Sequence, residues 1–542
     1  MQPLPDWLAV TAACVFVLLA AYRIELPGLY FDELIFVDAA QGNPDTAWIH
    51  MRLGSVPFFI IPYLGALKAW IYAPVFRLFG VSALTVRLPV ILIAALTLLI
   101  FYRAMRRELG VVWAAIVVWI MAVDPANIFP SRLDWGPTVL MHLFQASILA
   151  LWFSYRNKPK LWKIGLVFVC CGLGFFDKFN FVWLVSAFVI GVFLCYPDSV
   201  KDLWISSSKS VRWAALIFVS IGLATMLYLT LPLIKLQFLM AEALNPHLRL
   251  RLSFDLLQST LSGAAVAGVI FGSLAGMIQV IPFWLIVVDG CLALASLFLA
   301  MSNAEARENR KNGIFCLLIG LLIFLQIVIT PQATGPHHHS MIFPLPLLAF
   351  AFLARSLYDH FRTKKLSQVV AFITGAVATC IFLGNIHNTK VYLSHFRNDP
   401  RYAPLWSPEI YSLSRYINEH GFESKKIICA DCCVNNQLRA LAPKKLRRRM
   451  RDFWPAFKEL PKNPEEQNKL LEKIFPEGKT FVVTFDASKE TFPETRANFI
   501  ALLSAHPELN SRLVRELWYG GEKIYELYEV IRPPHGAERA DQ

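Results

Sequence analysis

The side chains that could do chemistry lie in the loops between long apolar blocks. They comprise three acids, three cations and one imidazole, namely Asp32, Glu33, Asp134, Lys68, Arg132, Lys178 and His338. A carboxylate within hydrogen-bond reach can take the proton of an attacking hydroxyl. Arg and Lys side chains stabilise the charge that develops on a departing phosphate. These residue types meet the requirements of a site where a group passes from a phosphate to a hydroxyl.

The acids also have structural interpretations, which the sequence leaves open. Asp32 could cap a helix that begins near Leu34, and Asp134 could cap the apolar helix that follows it, because Asp is common at helix N-termini. Asp177 and Lys178, in GFFDKFNF, could form an ion pair in a tight turn.

The outlying cations have structural alternatives as well. Arg132, in SRLD, could anchor the chain at a membrane surface. The triplet 337–339, in TGPHHHSM, could be an exposed polar turn before Pro344 or a phosphate or metal site.

The composition predicts a polytopic α-helical membrane protein. The 542 residues are 56% hydrophobic and 17% charged, whereas about a quarter of the residues in soluble proteins are charged. The apolar residues form blocks of the length that a helix needs to cross a bilayer. Helices and closed barrels alone satisfy their backbone in lipid. Eleven spans are predicted, at 7–22, 86–102, 110–124, 136–154, 163–176, 181–196, 213–233, 279–301, 313–330, 341–357 and 368–387.

Basic residues in alternate loops predict the orientation. The net charge of +13 falls largely in short loops between spans, where Lys and Arg mark the cytoplasmic side. This explains the charge without a nucleic-acid partner. The five basic loops share one side if the N-terminus is cytoplasmic, and they are 103–107, 156–163, 201–212, 307–311 and 362–365. The loops that hold the acids then face outward from the inner (cytoplasmic) membrane, as does the C-terminal part.

Two apolar segments do not fit simple spans. Residues 56–80, in the first outward loop 23–85, are interrupted by three prolines, which disfavour a straight helix. Interfacial helices are predicted there. Residues 262–278 are apolar enough to span, but a twelfth span would invert the basic loops after it. A re-entrant or interfacial helix is therefore preferred.

The sequence predicts two domains. Residues 1–387 would form the membrane domain, and residues 388–542 an extracytoplasmic soluble α/β domain. KKIICADC and KTFVVTFDA read as strands, and ETRANFIALLSAH reads as a helix. Seven of the ten cysteines lie in apolar blocks, where cysteine behaves as a small hydrophobe. Cys429, Cys432 and Cys433 permit a disulfide, but no second ligand pair for zinc lies nearby.

Four short motifs carry a resemblance to a known family. They are FDE after the first span, YLGALKAWIYAPVFRLFG, VRLP at the second span and SRLD after the third. Their order and spacing resemble the GT-C class of membrane glycosyltransferases. The closest likeness is to glycosyltransferase family 39, the protein mannosyltransferase and aminoarabinose transferase type, and it covers residues 1–390.

The resemblance implies inverting transfer of a sugar from a polyprenyl-phosphate donor to a hydroxyl at the outer face of the membrane. It implies Asp32 as the base, Glu33 in support of the site or of a metal ion, and Asp134 as the second acid. It implies contacts from Lys68, Arg132 and Lys178 to the lipid phosphate, and the His338 run occupies a loop that is polar in relatives.

The resemblance does not define every partner. The acceptor is a glycan, a lipid or a protein, and a divalent metal ion is neither required nor excluded. No Glu-Lys-Pro-Pro segment of the aminoarabinose transferases occurs near Lys68. The alternative function is a transporter or lipid flippase, in which polar residues would gather near the bilayer midplane, often in two related halves.

Overall fold

The structure is a computed structural model of the chain. It describes residues 6–42, 49–210, 246–272, 281–299, 303–330, 335–362, 365–398, 402–461 and 463–534, together with Ala333 and scattered positions between 212 and 231.

The apolar blocks form a bundle of helices, as the composition predicted. In the helix of residues Ala83–Leu109 (α4), for example, the Ser82 hydroxyl accepts a hydrogen bond from the Thr85 amide (3.2 Å), and Gly110 ends the helix with a positive φ of 85°. The helices up to residue 398 are α1 (Trp7–Ala21), α2 (Phe31–Ala40), α3 (Leu67–Phe79), α4 (Ala83–Leu109), α5 (Val111–Val123), α6 (Pro125–Leu133), α7 (Val139–Asn157), α8 (Leu161–Asp177), α9 (Val182–Cys195), α10 (Pro197–Ser206), α11 (Pro246–Leu261), α12 (Ala264–Phe271), α13 (Ile281–Phe298), α14 (Ala304–Ile329), α15 (Pro336–His339), α16 (Leu345–His360) and α17 (Leu366–Asn398).

The helices support a multi-pass membrane protein. Among the described residues, four helices are long and apolar enough to cross a membrane, or up to seven if each bent pair counts as one span. Every predicted span except 213–233 coincides with a helix, and 213–233 lies largely outside the described residues. The total of eleven spans stays a prediction.

Three pairs of consecutive helices are sharply bent. The α5–α6 pair bends by 56° at Asp124, where Pro125 lacks the amide that would continue the helix. The segment containing α9 and α10 bends by 93°, and that containing α11 and α12 bends by 91°. The last of these covers the first part of the predicted re-entrant segment 262–278, whose residues 273–278 lie outside the described range.

The first loop contains a small sheet as well as helices. Strands β1 (Met51–Leu53), β2 (Val56–Ile61) and β3 (Leu64–Gly65) form an antiparallel sheet in that order. The prediction of helices throughout 56–80 is therefore wrong for 56–65 and right for α3. The run VPFFII is rich in β-branched and aromatic residues, which favour a half-buried strand.

The C-terminal part contains a five-stranded sheet of β4 (Lys426–Cys429), β5 (Met450–Asp452), β6 (Gly478–Phe485), β7 (Asn510–Tyr519) and β8 (Glu522–Arg532), in the order β5-β4-β6-β8-β7. Strand β4 is parallel to β5 and β6, while β8 is antiparallel to β6 and β7. Separate hydrophobic clusters cover its two faces. The helices of this part are α18 (Glu409–His420), α19 (Val434–Leu441), α20 (Lys444–Arg447), α21 (Trp454–Lys458), α22 (Pro464–Ile474) and α23 (Thr495–Ala505).

The structure places both the predicted domain boundary and the C-terminal cysteines. Helix α17 runs through residue 387, so the predicted boundary falls inside a helix, and the division into 1–387 and 388–542 stays a prediction. Cys432 and Cys433 form a disulfide between neighbouring residues, and Cys429 is a buried free thiol.

Candidate active site

Helix α2 presents the two adjacent acids in different ways. The helix begins at Phe31, and the Glu33 carboxylate accepts a hydrogen bond from the Tyr30 amide (2.9 Å). Glu33 therefore caps the helix, and the interpretation of Asp32 as the cap of a helix starting near Leu34 is wrong. Asp32 is left on the first turn as a partly buried carboxylate.

Glu33 is also held in a buried ion pair with Arg87. The Arg87 guanidinium donates to both carboxylate oxygens, through Nε (2.7 Å) and Nη2 (2.8 Å). Arg87 is fully buried, and its Nη1 donates to the carbonyls of Ile24 and Pro27. Because such bidentate pairs fix geometry, Glu33 fastens α2 to α4 of the bundle.

Lys68 and Asp134 form a second buried pair. Lys68 Nζ lies 2.7 Å from Asp134 Oδ2, and the two side chains are 1% and 2% exposed. Asp134 Oδ1 also accepts the amides of Thr138 (2.8 Å) and Val139 (2.9 Å) at the start of α7. The capping interpretation of Asp134 is thus right, and the same carboxylate also neutralises Lys68.

The end of α8 carries Lys178 to the first-loop sheet. Lys178 forms an isolated antiparallel bridge with Leu64, and the Phe179 amide donates to the Tyr63 carbonyl (3.1 Å). Gly65 permits this approach, because a Cβ there would lie 2.2 Å from the Phe176 carbonyl oxygen. Lys178, at the end of α8, is thereby linked to β3, the strand that leads into α3 and Lys68.

Lys178 is not paired with Asp177. Its ammonium donates to the Gly136 carbonyl (2.7 Å), and the side chain is 7% exposed. Both carboxylate oxygens of Asp177 lack a hydrogen-bond partner among the described residues. The interpretation of these neighbours as an ion pair is therefore wrong.

The electrostatics join Asp32 to both lysines. Burial raises the pKa of Asp32, and Lys178, Lys68 and a hydrogen bond from Trp135 oppose this rise. Burial lowers the pKa of Lys178 to about 8 against the attraction of neighbouring carboxylates, of which Asp32 is the strongest. A carboxylate and an ammonium of perturbed pKa in one place are typical of functional sites.

Arg132 occupies a different environment. Its guanidinium is fully buried and donates to the carbonyls of Tyr22, Arg23 and Leu26, and it lies over the Phe396 ring. The surface-anchor interpretation of Arg132 is therefore wrong, since this side chain fixes the backbone between α1 and α2.

His338 lies beside the end of α8. Its Nδ1 is 3.1 Å from the side-chain Nδ2 of Asn180, and its ring contacts His337 and Trp183. The ring of His337 in turn lies 5.8 Å from Trp135, which contacts Asp32. Among the residues that the structure describes, no group of three or more His, Cys, Asp and Glu side chains could hold a metal ion.

Sequence reasoning missed two residues that shape this site. Arg87, the partner of Glu33, belongs to the VRLP motif, and an Arg inside an apolar block is a signal of a buried partner. Trp135 follows Asp134 directly, but nothing in its sequence position indicates a contact with Asp32.

Comparisons with known proteins agree with this architecture. The family model of dolichyl-phosphate-mannose-protein mannosyltransferase matches residues 65–228. The ArnT structure from Cupriavidus metallidurans bound to undecaprenyl phosphate is 14% identical, with a TM-score of 0.53 over 96% of this chain and 97% of that chain. The apo structure of that ArnT is 13% identical, with a TM-score of 0.52 over the same shares. Comparison by sequence with curated proteins found no match.

The family model includes Lys68, Arg132, Asp134 and Lys178 but begins after Asp32. The ArnT structures extend the similarity of fold over nearly the whole chain. The chain is therefore a membrane protein that resembles the GT-C class of glycosyltransferases, of the family 39 type, as its motifs predicted.

Proposed function

We propose that this protein is an inverting glycosyltransferase that moves a sugar from a polyprenyl-phosphate donor to a hydroxyl of an acceptor. The reaction would take place at the outer face of the inner membrane, with the N-terminus in the cytoplasm. The resemblance to GT-C glycosyltransferases supports glycosyl transfer in general. The undecaprenyl phosphate bound to the similar ArnT structure supports a donor of this lipid class.

The observation that carries the proposal is the different use of the two adjacent acids. Glu33 is engaged by Arg87 and the Tyr30 amide. Asp32, by contrast, is partly exposed and interacts with Lys178 and Lys68. A partly exposed acid beside cations fits a general base next to a phosphate.

In the proposed reaction, each bond that forms or breaks and the transferred proton can be assigned. The acceptor hydroxyl oxygen attacks the anomeric carbon from the face opposite the phosphate, and the bond from that carbon to the phosphate oxygen breaks. The electron pair of the broken bond leaves with polyprenyl phosphate. The hydroxyl proton passes to Asp32, and the configuration at the anomeric carbon inverts.

The cations divide the work on the phosphate. Lys178 donates only to a neutral carbonyl in the described residues, so its charge is available to the departing phosphate. The charge of Lys68 is shared with Asp134, so this pair would position the site and add a weaker contact. His338, beside Asn180, would add a polar group at the same end of α8.

Arg132 and Glu33 take supporting roles in this proposal. The guanidinium of Arg132 is directed at three backbone carbonyls, which fix the segment leading to α2. Glu33 fixes the first turn of that helix through Arg87. Both would act on the reaction through the position of Asp32.

Transfer from radiolabelled polyprenyl-phosphate sugars tests the proposal. Purified protein in proteoliposomes would be given a panel of donors and an extract of membrane glycans and lipids as acceptor. Label in a product whose anomeric configuration is opposite to that of the donor is the expected result. Absence of transfer from every donor, together with movement of donor lipid between leaflets, would instead indicate the flippase alternative.

A further inference from the structure

The segment that leads into α2 is held from two sides. From the bundle, Arg87 and Arg132 donate to its carbonyls. From the C-terminal part, the Trp406 carbonyl accepts the Gly28 amide (2.8 Å), and the Tyr411 hydroxyl donates to the Glu25 carbonyl (3.0 Å). The backbone just before Asp32 therefore lies between the bundle and residues 402–441.

The fit against this C-terminal segment is close. A Cβ at Gly28 would lie 2.2 Å from the Ser407 carbonyl oxygen, so only glycine permits the contact. The Tyr30 ring stacks on Trp406, with centroids 4.0 Å apart and planes 10° apart. The residue two positions before the proposed base is thus fixed by the C-terminal part.

Helix α19 contacts both ends of α2. At one end, the Gln437 side chain donates to the carbonyls of Leu29 (2.5 Å) and Leu405 (3.0 Å), and it is fully buried. At the other end, the Gln41 side chain donates to the Ala440 carbonyl (3.1 Å). Helix α2 has only ten residues, so these contacts constrain both of its ends, in addition to the Glu33–Arg87 pair in its first turn.

The lysines of the site are held independently of α19. Lys178 is placed by the bridge to Leu64 and the bond to Gly136. Lys68 is placed by Asp134, and its Nζ also lies 3.9 Å from the centroid of the Phe36 ring in α2. A shift of α2 would therefore change the position of Asp32 relative to Lys178, whose own contacts lie outside that helix.

We infer that residues 402–441 are a positioning element for the helix that carries Asp32, with Gln437 as its central positioning residue, an inference that rests on the role proposed for Asp32. The C-terminal part would then be required for the reaction at the site, whatever else it binds. Because small misplacements of a reacting group cost about 100-fold in rate, loss of the Gln437 contacts should be visible in kcat.

Gln437→Met in the full-length protein tests the inference, because Met keeps the length of the side chain and removes both donors. The expected result is a fall of kcat by about 10- to 100-fold with the KM of the polyprenyl-phosphate donor unchanged. The acid limb of the pH profile, which reports Asp32, should move. The matched control is Gln467→Met in α22, where the side chain donates to the Pro461 carbonyl (2.6 Å) away from α2.

Amide hydrogen exchange gives a second readout that does not depend on activity. The amides of residues 28–33 should exchange faster in Gln437→Met than in the wild type. In Gln467→Met they should exchange at the wild-type rate. Unchanged amide exchange at residues 28–33 would overturn the inference. So would a fall in kcat that is explained by loss of folded protein alone, with the acid limb of the pH profile in its wild-type position. If the wild type transferred no sugar, the proposed function would fail, and the exchange result alone would decide whether Gln437 positions α2.

Discussion

The pH dependence of donor use should report the ionisation of Lys178. Burial lowers the pKa of this side chain to about 8, so its ammonium is charged below that pH and neutral above it. A polyprenyl-phosphate sugar is a phosphodiester, whose single negative charge is constant over this range. Attraction between Lys178 and the donor should therefore be present below pH 8 and lost as the pH rises through 8.

The magnitude follows from the titration. At pH 9, about one unit above the pKa, about a tenth of the Lys178 side chains remain charged. We expect kcat/KM for the donor to fall about tenfold per unit above pH 8, since this ratio reports the free enzyme. The acid limb has the opposite sign, because Asp32 must be deprotonated to act as a base. Its pKa is raised by burial, so activity should be lost as the pH falls through a value above the usual range for Asp.

Two variants test whether deprotonation of Lys178 causes the loss of activity above pH 8. The transfer assay would use saturating acceptor and limiting donor. Lys178→Arg keeps its charge throughout and should lose the limb near pH 8, whereas Lys178→Met should use donor poorly at every pH. Lys160→Arg, in a predicted cytoplasmic loop, is the control and should keep the wild-type profile. A limb that stays near pH 8 in Lys178→Arg, or a wild-type profile that is flat to pH 10, would refute the assignment.

Three further predictions concern the buried charges. Glu33→Gln leaves the Arg87 guanidinium without its counter-charge, so it should lower the free energy of unfolding in detergent by about 3–5 kcal/mol. Equal stability of variant and wild type in a denaturant titration would contradict this. Asp134→Asn strands the buried ammonium of Lys68 and should cost a similar amount, with the loss reduced in the double variant that also carries Lys68→Met. Arg132→Met leaves backbone carbonyls unpaired, at about 1–3 kcal/mol each, and should leave the KM of the donor unchanged; a raised KM with unchanged stability would restore a phosphate role for that residue.

The sequence predicts which loops meet but not how each side chain is used. Alternation of basic loops places Asp32, Asp134 and Lys178 on one side, and the structure brings these residues together with Lys68. The sequence does not distinguish Asp32 from Glu33, because that difference depends on Arg87 in another helix. The sequence likewise does not show that the Arg132 guanidinium is bound to three backbone carbonyls of another segment.

The remaining differences arise from contacts between residues far apart in the chain. The strands at 51–65 lie in a proline-containing segment whose pattern also suits an interfacial helix, and their pairing decides between the two. The contact of Gln437 with Leu29 joins residues on different predicted domains. No local pattern encodes such a contact, so the sequence gives no sign that the C-terminal part reaches α2.

The rate of sugar transfer by Asp32→Asn shows whether Asp32 is the general base. The substitution keeps the size of the side chain and removes its ability to take a proton, so we expect kcat to fall by about 100- to 10,000-fold in a protein that still folds and binds donor. Asp198→Asn, at a surface helix terminus, serves as the matched control. A rate within a few-fold of the wild type in Asp32→Asn would contradict the assignment of this carboxylate as the base.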